Sequence, residues 1–343
     1  MRIVYGVAGM GMGHSIRSKP TIDYLLKKHD VLIACGGSSY GFFSKKYKTL
    51  EVPSLRIKFI NGHTSNLYTF FYNLIKLPVY LYNACKIYYS IAKFKPDIFI
   101  SDFEPFTNYL SKIYGKKLIA IDNMNVIVRT KMKNPGKYLD YLSTKIIVRL
   151  FSPFAQKYFI TSFFDSPVKT KKAKIIPPIL RKEIINARAK YSDYYVVYLA
   201  TLNERIIDCL RKVNAKFIIY GLDKKLRQKN LIFRKFSEKM FIKEISNCKA
   251  LICNGGFTTI SEALYLKKPI LSIPIGKQYE QYLNAYYLDR LGYGLMAEEL
   301  DIKTFNSFQK NWASYAEKLK SYRGVGNMAL FKELDNIISS IRI

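Results

Sequence analysis

The feature that most constrains this chain is a repeated alternation between short β-branched runs and longer stretches with helical periodicity. Ten apolar runs are suited to strands, and they lie at 3–7, 31–35, 97–101, 118–121, 158–161, 195–200, 216–220, 231–233, 250–253 and 270–273. Strands that alternate with helices favour parallel sheets, because each parallel connection needs a crossover. The alternation therefore predicts an α/β protein with two parallel, helix-covered sheets, one in each half of the chain.

Domain limits follow from the place where the alternation is interrupted. The 343 residues suffice for two domains of ordinary size. Three prolines and a group of lysines break the pattern at 165–184, which we interpret as a linker. We therefore expect an N-terminal domain at 1–164, the linker at 165–184, a C-terminal domain at 185–303 and further helices at 304–343.

The composition is that of a folded and strongly basic protein. Lys and Arg number 56 against 25 Asp and Glu, a formal net charge of +31, and 49% of the residues are hydrophobic. This apolar content excludes a disordered polyelectrolyte. The five cysteines are scattered without a CxxC pair, which disfavours a disulfide framework or a metal site. The first apolar run is too short for a secretory signal, so we expect the protein in the cytoplasm.

The stretch 67–91 is aromatic and basic, but Lys76, Pro78 and Lys86 interrupt it, so it does not fit a membrane span. Its apolar positions follow helical spacing, which fits an interfacial helix on an anionic membrane surface. The alternative is a helix packed on the core with solvated lysines, and Pro78 favours two short helices. Residues 116–182 add 15 basic against 3 acidic residues, which also favours a peripheral position on the cytoplasmic face of a membrane.

The same positive charge attracts nucleic acid, because phosphate attraction is not selective. The sequence has no zinc-finger spacing and no RNA-binding aromatic signature. A basic nucleic-acid-binding protein is therefore the disfavoured alternative from another functional class.

The first strand runs directly into a glycine-rich loop, AGMGMGH, before a helix that we expect to begin near Ser15 or Ser18. Gly11 and Gly13 let bare backbone approach a ligand, and the N–H groups of the helix start point at it. The loop therefore predicts a cradle for an anion or a sugar, with a simple tight turn as the alternative. A dinucleotide fingerprint would need glycine in place of His14, so NAD binding is disfavoured.

His14 is the candidate catalytic residue. It follows the carboxyl end of the first strand, where open α/β sheets bind ligands, and the ordinary pKa of histidine suits a general base. Asp102 follows another apolar strand, and it can accept a hydrogen bond from His14 and thereby fix the tautomer of the ring. Glu104 is the competing acid, and an N-cap of a helix is the structural alternative for either carboxylate.

A second glycine turn follows the strand at 250–253. Gly255 and Gly256 precede a helix that we expect to begin around 257–259, and such a helix start holds a diphosphate without a metal ion. Thr258 lies in its first turn. Glu262, Glu280, Gln281 and Asn284 follow, and carboxylates and amides suit the hydroxyls of a ribose and a sugar.

Residues 250–295 resemble the nucleotide-sugar signature of the GT-B glycosyltransferases. GGFTTISEA and EQYLNA match the donor motif of the family of the bacterial peptidoglycan N-acetylglucosaminyltransferase, which is family 28-like, in order and spacing. GMGMGH is similar to the N-terminal glycine loop of that family, and SDFEP is similar to a segment of archaeal members of unassigned substrate. The resemblance implies two Rossmann-like domains that face a cleft.

The resemblance also implies an activity, which is inverting, metal-independent transfer of a hexose or N-acetylhexosamine from a UDP-sugar to a hydroxyl acceptor. The basic surface makes a lipid-linked acceptor one expectation. By the same resemblance, Gly255, Gly256 and Thr258 face the diphosphate, and Glu262 binds the ribose. Glu280 and Gln281 then contact the donor sugar, where many members have two glutamines. A UDP-sugar 2-epimerase of the same architecture is the alternative enzyme.

Overall fold

The computed structural model of the protein describes residues 1–53, 59–60, 63–64, 75–200, 202, 204–222 and 224–341. The chain divides into two compact units. Unit 1 comprises Met1–Arg181 and Val325–Ile343, and unit 2 comprises Lys182–Gly324.

Unit 1 is built on a seven-stranded sheet with the order β3-β2-β1-β6-β7-β8-β9, in which all neighbours are parallel. Its central strands are buried almost throughout, as expected for a sheet that helices cover on both faces. The strands of the unit are β1 (Arg2–Val7), β2 (Asp30–Cys35), β3 (Thr49–Glu51), the separate pair β4 (Phe59–Ile60) and β5 (His63–Thr64), β6 (Ile98–Asp102), β7 (Lys117–Asp122), β8 (Lys157–Thr161) and β9 (Ala173–Ile176).

In the described part of unit 1, six helices connect these strands. They are α1 (Gly13–Leu25), α2 (Gly37–Phe43), α3 (Leu77–Phe94), α4 (Pro105–Ile113), α5 (Val126–Arg129) and α6 (Tyr138–Phe151). Pro78 lies in the first turn of α3, where its missing N–H group costs the helix no hydrogen bond. The first part of the stretch 67–91, up to residue 74, lies outside the described residues.

Unit 2 repeats the plan with a sheet of order β12-β13-β11-β10-β14-β15-β16, in which only the edge pair β12 and β13 is antiparallel. Its strands are β10 (Tyr195–Tyr198), β11 (Phe217–Tyr220), β12 (Leu226–Gln228), β13 (Leu231–Phe233), β14 (Ala250–Cys253), β15 (Ile270–Ser272) and β16 (Gly294–Met296). Its helices are α7 (Lys182–Ile185), α8 (Glu204–Lys212), α9 (Glu238–Asn247), α10 (Phe257–Tyr265), α11 (Tyr279–Arg290) and α12 (Ile302–Lys320).

The two-domain, helix-covered arrangement predicted from the sequence is confirmed. All ten predicted strands are present, with ends that differ by at most two residues. The strands that the sequence analysis missed are all four residues long or shorter, a length at which hydrophobic periodicity is a weak signal.

The predicted linker at 165–184 is wrong, because β9 lies inside it and pairs with β8 along its whole length. The prolines were interpreted as breaking the entire segment, but two of them, Pro177 and Pro178, follow the strand directly and end it. The boundary between the units lies after Arg181.

The C-terminal helices predicted at 304–343 are present, but they belong to different units. The helix α12 belongs to unit 2, whereas a final helix, α13 (Asn327–Ser339), returns to unit 1. Leu330, Leu334 and Ile338 recur at every fourth position, and they pack into the core of unit 1. None of the helices in the described residues is both long enough and apolar enough to cross a membrane.

Candidate active site

The candidate base of unit 1 lies where the carboxyl ends of β1 and β6 meet. These strands are neighbours, and Val7 at the end of β1 is in register with Asp102 at the end of β6. The chain leaves β1 through the glycine loop and enters α1 at Gly13, two residues earlier than the expected start at Ser15. His14 therefore lies in the first turn, with its Nδ1 2.9 Å from Oδ1 of Asp102. The predicted contact is present.

Asp102 is also held by two residues that the sequence analysis did not single out. Arg17 donates from Nε to Oδ2 at 2.8 Å and from Nη2 to Oδ1 at 2.5 Å, and the Ser18 hydroxyl donates to Oδ2 at 2.8 Å. The carboxylate is only 1% exposed. Burial alone would raise its pKa, but the Arg17 charge and the hydrogen bonds from Arg17 and His14 hold the pKa of Asp102 well below its usual range. Asp102 is therefore ionised at neutral pH.

Glu104 is the N-cap of α4, which is the structural alternative to a catalytic role. Its carboxylate accepts hydrogen bonds from the backbone N–H groups of Phe106, at 3.0 Å, and Thr107, at 2.6 Å, and from the Thr107 hydroxyl. Burial raises the pKa of Glu104 to about 7, although these hydrogen bonds oppose the rise. Of the two acids, the geometry pairs Asp102 and not Glu104 with His14.

Phe103 lies between these acids in a left-handed backbone conformation, with φ of 55°. A bulky side chain adopts this conformation only where the surrounding structure enforces it, and such strain is concentrated at functional sites. The Phe103 ring is nearly parallel to that of His14, with centroids 6.3 Å apart. It also lines an open pocket, together with Gly9, Met10 and Phe151. The pocket places an apolar wall beside the candidate base.

Two serines at the start of α2 hold the glycine loop in place. The Ser38 hydroxyl lies 3.0 Å from the carbonyl oxygens of both Gly9 and Gly11, and the Ser39 hydroxyl donates to the Ala8 carbonyl at 2.6 Å. Gly11 has φ of 73°, and no atom lies within 4 Å of the position that a Cβ would take. The loop therefore keeps open space next to its backbone. The sequence signal for these serines is their position directly after β2.

The glycine turn of unit 2 joins β14 to α10, as predicted. Gly255 has φ of 90°, and a Cβ there would lie 2.7 Å from the Gln281 carbonyl oxygen, so only glycine fits. Gly256 is the N-cap of α10, and Thr258 lies in the first turn. As a glycine, Gly256 has no side chain that could cap this helix start. The first N–H groups of a helix have no intrahelical acceptor, so this turn is suited to an anion.

Two amides that were predicted to bind the donor contact the protein's own backbone. The Asn284 amide donates from Nδ2 to the Gly255 carbonyl at 3.0 Å, and Oε1 of Gln281 accepts from the Ile275 N–H group at 3.0 Å. Both residues lie on α11. They hold the glycine turn and the loop before α11, while Glu280 is half-buried on the same helix. Glu262 lies on the buried side of α10 and is 2% exposed.

Asn254 is a structural member of this site that the sequence analysis missed. Its Oδ1 accepts from the Ala200 N–H group at 2.6 Å, and its Nδ2 donates to the Ile273 carbonyl at 2.9 Å. These two backbone groups follow β10 and β15, the neighbours of β14 on either side. Asn254 thus ties three strand ends together beneath the turn. The sequence contains a signal for this role, because Asn254 is a polar residue between an apolar strand and a glycine pair.

A group of aromatic side chains lies at the same edge of the sheet of unit 2. Tyr198 and Tyr220 are the last residues of the adjacent strands β10 and β11, and each has its ring centroid 6.2 Å from that of Phe236. Phe236 follows β13 and is 50% exposed. Its open face is suited to stacking against a planar base, because every nucleobase has a π-face.

A family model described as Glycosyl transferase family 1 matches residues 1–312. An uncharacterized glycosyltransferase of Methanosarcina acetivorans is 24% identical over 336 residues, which cover 86% of this chain and 85% of the relative. A UDP-N-acetylglucosamine–N-acetylmuramyl-(pentapeptide) pyrophosphoryl-undecaprenol N-acetylglucosamine transferase 3 of Bacillus cereus is 28% identical over 102 residues, which cover 27% of this chain and 29% of the relative.

Solved structures with a similar fold are glycosyltransferases of the GT-B type. One of them is a spinosyn rhamnosyltransferase complexed with thymidine diphosphate. It is 13% identical to this chain, the match covers 98% of this chain and 100% of the other, and the TM-score is 0.65. At this identity the likeness concerns the fold alone.

The buried Glu104 carboxyl makes the stability of unit 1 depend on pH. Its pKa is about 7 in the folded protein against an ordinary 4.5, so the folded state binds the proton more tightly than the unfolded state. The stabilising contribution is fully present below about pH 4.5 and is lost as the pH rises through about 7. We expect this group to lower the free energy of unfolding by about 3 kcal/mol across that interval.

The measurement is urea denaturation of the wild type and Glu104→Gln at about pH 4.5 and about pH 8. The variant lacks this titration, so its stability should change less between the two pH values. Glu51→Gln, at an exposed glutamate of the same unit, is the control that should change as the wild type does. Equal changes in the wild type and Glu104→Gln would contradict the burial argument.

Proposed function

The chain belongs to glycosyl transferase family 1, and from this membership and the site geometry we propose an inverting, metal-independent transfer of a sugar from UDP to a hydroxyl acceptor. The sugar is a hexose or an N-acetylhexosamine. The prediction of a GT-B glycosyltransferase is confirmed for family, fold and enzyme class. The nucleotide, the acceptor and the stereochemistry belong to the proposal.

The observation that carries the proposal is the contact of His14 Nδ1 with the ionised Asp102. With the proton on Nδ1, the Nε2 lone pair is available to remove the proton of an acceptor hydroxyl. The hydroxyl oxygen then forms a bond to the anomeric carbon as the bond from that carbon to the diphosphate oxygen breaks. Attack from the face opposite the leaving group inverts the anomeric centre.

The leaving diphosphate gains negative charge during this step, and the start of α10 is suited to stabilise it. The N–H groups after Gly256 are fixed in direction before the reaction, so no reorganisation is needed as charge develops. Gly255 and Asn284 shape that turn. In this proposal the diphosphate needs no metal ion, because the helix start supplies the compensating positive potential.

We propose UDP as the nucleotide on two grounds. The name of the Bacillus cereus relative specifies a UDP-sugar, and that match includes 27% of this chain. The exposed face of Phe236 suits a planar base at the edge of the sheet that carries the glycine turn. Thymidine diphosphate, which is bound in the spinosyn rhamnosyltransferase, is the competing pyrimidine nucleotide for the binding experiment.

We expect UDP to bind saturably in calorimetric titrations, with the same affinity in the presence of EDTA. Glu262→Ala should weaken UDP binding about tenfold or more, because a carboxylate that accepts from ribose hydroxyls contributes a charge-assisted hydrogen bond. Glu299→Ala, at an exposed acid of unit 2, is the matched control. An unchanged dissociation constant in Glu262→Ala would remove the ribose assignment. Tighter binding of dTDP than of UDP would overturn the choice of nucleotide.

His14→Ala should lower kcat by about 10²- to 10⁴-fold, the usual contribution of a general base, while UDP affinity stays unchanged. The assay follows UDP release from a panel of UDP-hexoses and UDP-N-acetylhexosamines, with and without isoprenoid-linked sugars as acceptors. NMR of the product reports the anomeric configuration. His29→Ala is the control, since His29 lies beyond the C-terminal end of α1 and contacts the N-terminus. Normal turnover in His14→Ala, or product that retains the configuration, would refute the mechanism.

We further propose that the acceptor is presented by an anionic membrane, and the outer surface of α6 supports this. Of the 14 residues in that helix only Val148 is buried. Leu139 is 81% exposed, Ile146 57% and Leu150 55%. Such a concentration of exposed apolar side chains marks an interaction surface more often than ordinary solvent-facing protein.

The neighbouring helix α4 extends this apolar surface. Ile113 is 65% exposed, and the Tyr109 hydroxyl donates to the Leu150 carbonyl, which fixes the two helices side by side. Lysines and an arginine at 112, 131, 133, 137 and 149 are exposed around it. Apolar side chains within a cationic border suit an anionic lipid surface. The described part of α3 buries Ile87 and Ile91 in the core, while Tyr82 and Tyr89 are exposed on the same helix.

Membrane docking predicts that the protein floats with phosphatidylglycerol vesicles at low salt and dissociates as salt is raised, because the electrostatic part is screened. The triple variant Leu139→Ser, Ile146→Ser and Leu150→Ser should lose flotation and keep UDP binding. Met328→Ser is the matched control, since Met328 is 75% exposed on α13 of the same unit. Absence of flotation in the wild type at low salt, or full flotation of the triple variant, would refute the docking surface.

A further inference from the structure

Arg17 is a buried charge whose contacts converge on the candidate base. It follows His14 by one helical turn on α1 and is 6% exposed. Its Nε and Nη2 both donate to the Asp102 carboxylate, and its Nη1 donates to Oδ1 of Asn123 at 2.5 Å. The guanidinium is thus fixed on two sides, by Asp102 at the end of β6 and by Asn123 directly after β7.

Most of the lone pairs with which the Asp102 carboxylate accepts hydrogen bonds are occupied by donors other than His14. An ionised carboxylate offers about four lone-pair positions, two on each oxygen. Arg17 fills one on each oxygen, and Ser18 fills the second on Oδ2. One position remains on Oδ1, and His14 Nδ1 lies 2.9 Å from it.

We propose that Arg17 is a positioning residue that directs this last lone pair of Asp102 at His14 and so keeps the ring in its Nδ1–H tautomer, with Nε2 unprotonated. The role of that tautomer in transfer rests on the proposed function, because Nε2 is the base in it. The tautomer itself is a property of the protein without substrate.

A competing arrangement has Arg17 donating to His14, since Nη2 lies 2.7 Å from Nδ1. Nη2 lies 2.5 Å from Oδ1 and 2.7 Å from Nδ1, and Oδ1 lies 2.9 Å from Nδ1. By the law of cosines, the directions from Nη2 to Oδ1 and from Nη2 to Nδ1 differ by about 68°. The two N–H bonds of a planar guanidinium nitrogen diverge by about 120°. An N–H bond aimed at Oδ1 therefore leaves the other at least about 50° away from Nδ1, which is poor hydrogen-bond geometry.

In this arrangement Asp102 affects His14 mainly by the direction of a hydrogen bond and not by its net charge. The guanidinium already neutralises the carboxylate, so Asp102 acts on His14 chiefly through the direction of one hydrogen bond. That direction depends on the planar fork of Arg17, which holds both carboxylate oxygens. Lysine carries the same charge without the fork, so it does not replace arginine at such a site.

The test is ¹⁵N NMR of the imidazole nitrogens in histidine-labelled protein without substrate, at about pH 8.5, two units above the ordinary histidine pKa. The chain has three histidines, and loss of a signal in His14→Gln identifies that of His14. The wild type should show His14 as the Nδ1–H tautomer. Arg17→Lys should show a mixture that includes the Nε2–H form. An Nε2–H tautomer in the wild type, or unmixed Nδ1–H in Arg17→Lys, would overturn the proposal.

Two further variants separate positioning from general damage to the fold. Arg129→Lys makes the same exchange at another arginine of unit 1, whose Nη2 donates to the Tyr158 hydroxyl at 2.6 Å, and it should leave the His14 tautomer unchanged. Asn123→Ala removes the outer anchor of Arg17 and leaves the guanidinium in place. This variant serves if Arg17→Lys does not fold, and it should show the same mixture to a smaller extent. If Arg17→Lys is unfolded and Asn123→Ala shows His14 only as the Nδ1–H tautomer, the positioning role of Arg17 is refuted.

Kinetics supply a second readout. With an active donor and acceptor pair, Arg17→Lys should lower kcat about tenfold or more and leave KM for the donor unchanged, because the donor binds through unit 2. A raised KM with unchanged kcat would contradict a positioning role at the base. The NMR result needs neither substrate, so failure of the proposed sugar transfer and failure of the Arg17 proposal are distinguished.

Discussion

The buried carboxylate of Asp102 is the interaction on which the N-terminal site depends. A buried charge costs several kcal/mol unless it is paired and hydrogen-bonded, and Asp102 meets this requirement with Arg17, Ser18 and His14. All three donors lie in the first two turns of α1. The same contacts therefore fix where α1 begins, how the glycine loop approaches it and which way the His14 ring faces. Removal of any one donor would leave part of a buried charge uncompensated.

Asp102 and Glu104 show how environment assigns different roles to two carboxylates that are two residues apart. Asp102 faces a guanidinium, which keeps it ionised despite full burial. Glu104 faces the start of α4, where it accepts hydrogen bonds from uncharged donors, and burial raises its pKa to about 7. Between them, the left-handed backbone of Phe103 turns the chain so that the two side chains enter different surroundings. The strained residue thus separates an ionised carboxylate that contacts His14 from a helix cap.

Sequence reasoning succeeded where the signal is local. Each predicted strand is a continuous apolar run, and each glycine turn directly follows such a run, so residue type and order suffice. It failed where the partner is distant along the chain. Arg17 has the appearance of a solvent-facing helix residue until β6, more than 80 positions later, brings Asp102 beside it. The apolar stripe of α13 likewise predicts that this helix is buried, but the sequence does not show which of the two cores it packs against. The fold shows that it packs into the core of unit 1.

In unit 2, the amide side chains around the glycine turn mainly form hydrogen bonds with the protein's own backbone. Asn284 holds the Gly255 carbonyl, Gln281 holds the Ile275 N–H group, and Asn254 ties the neighbouring strand ends together. These contacts fix the direction of the N–H groups at the start of α10, and such groups interact with a diphosphate through geometry and charge, whatever sugar it carries. The motif is therefore recognisable because it encodes a turn, and in the proposed reaction this turn specifies the diphosphate more closely than the sugar.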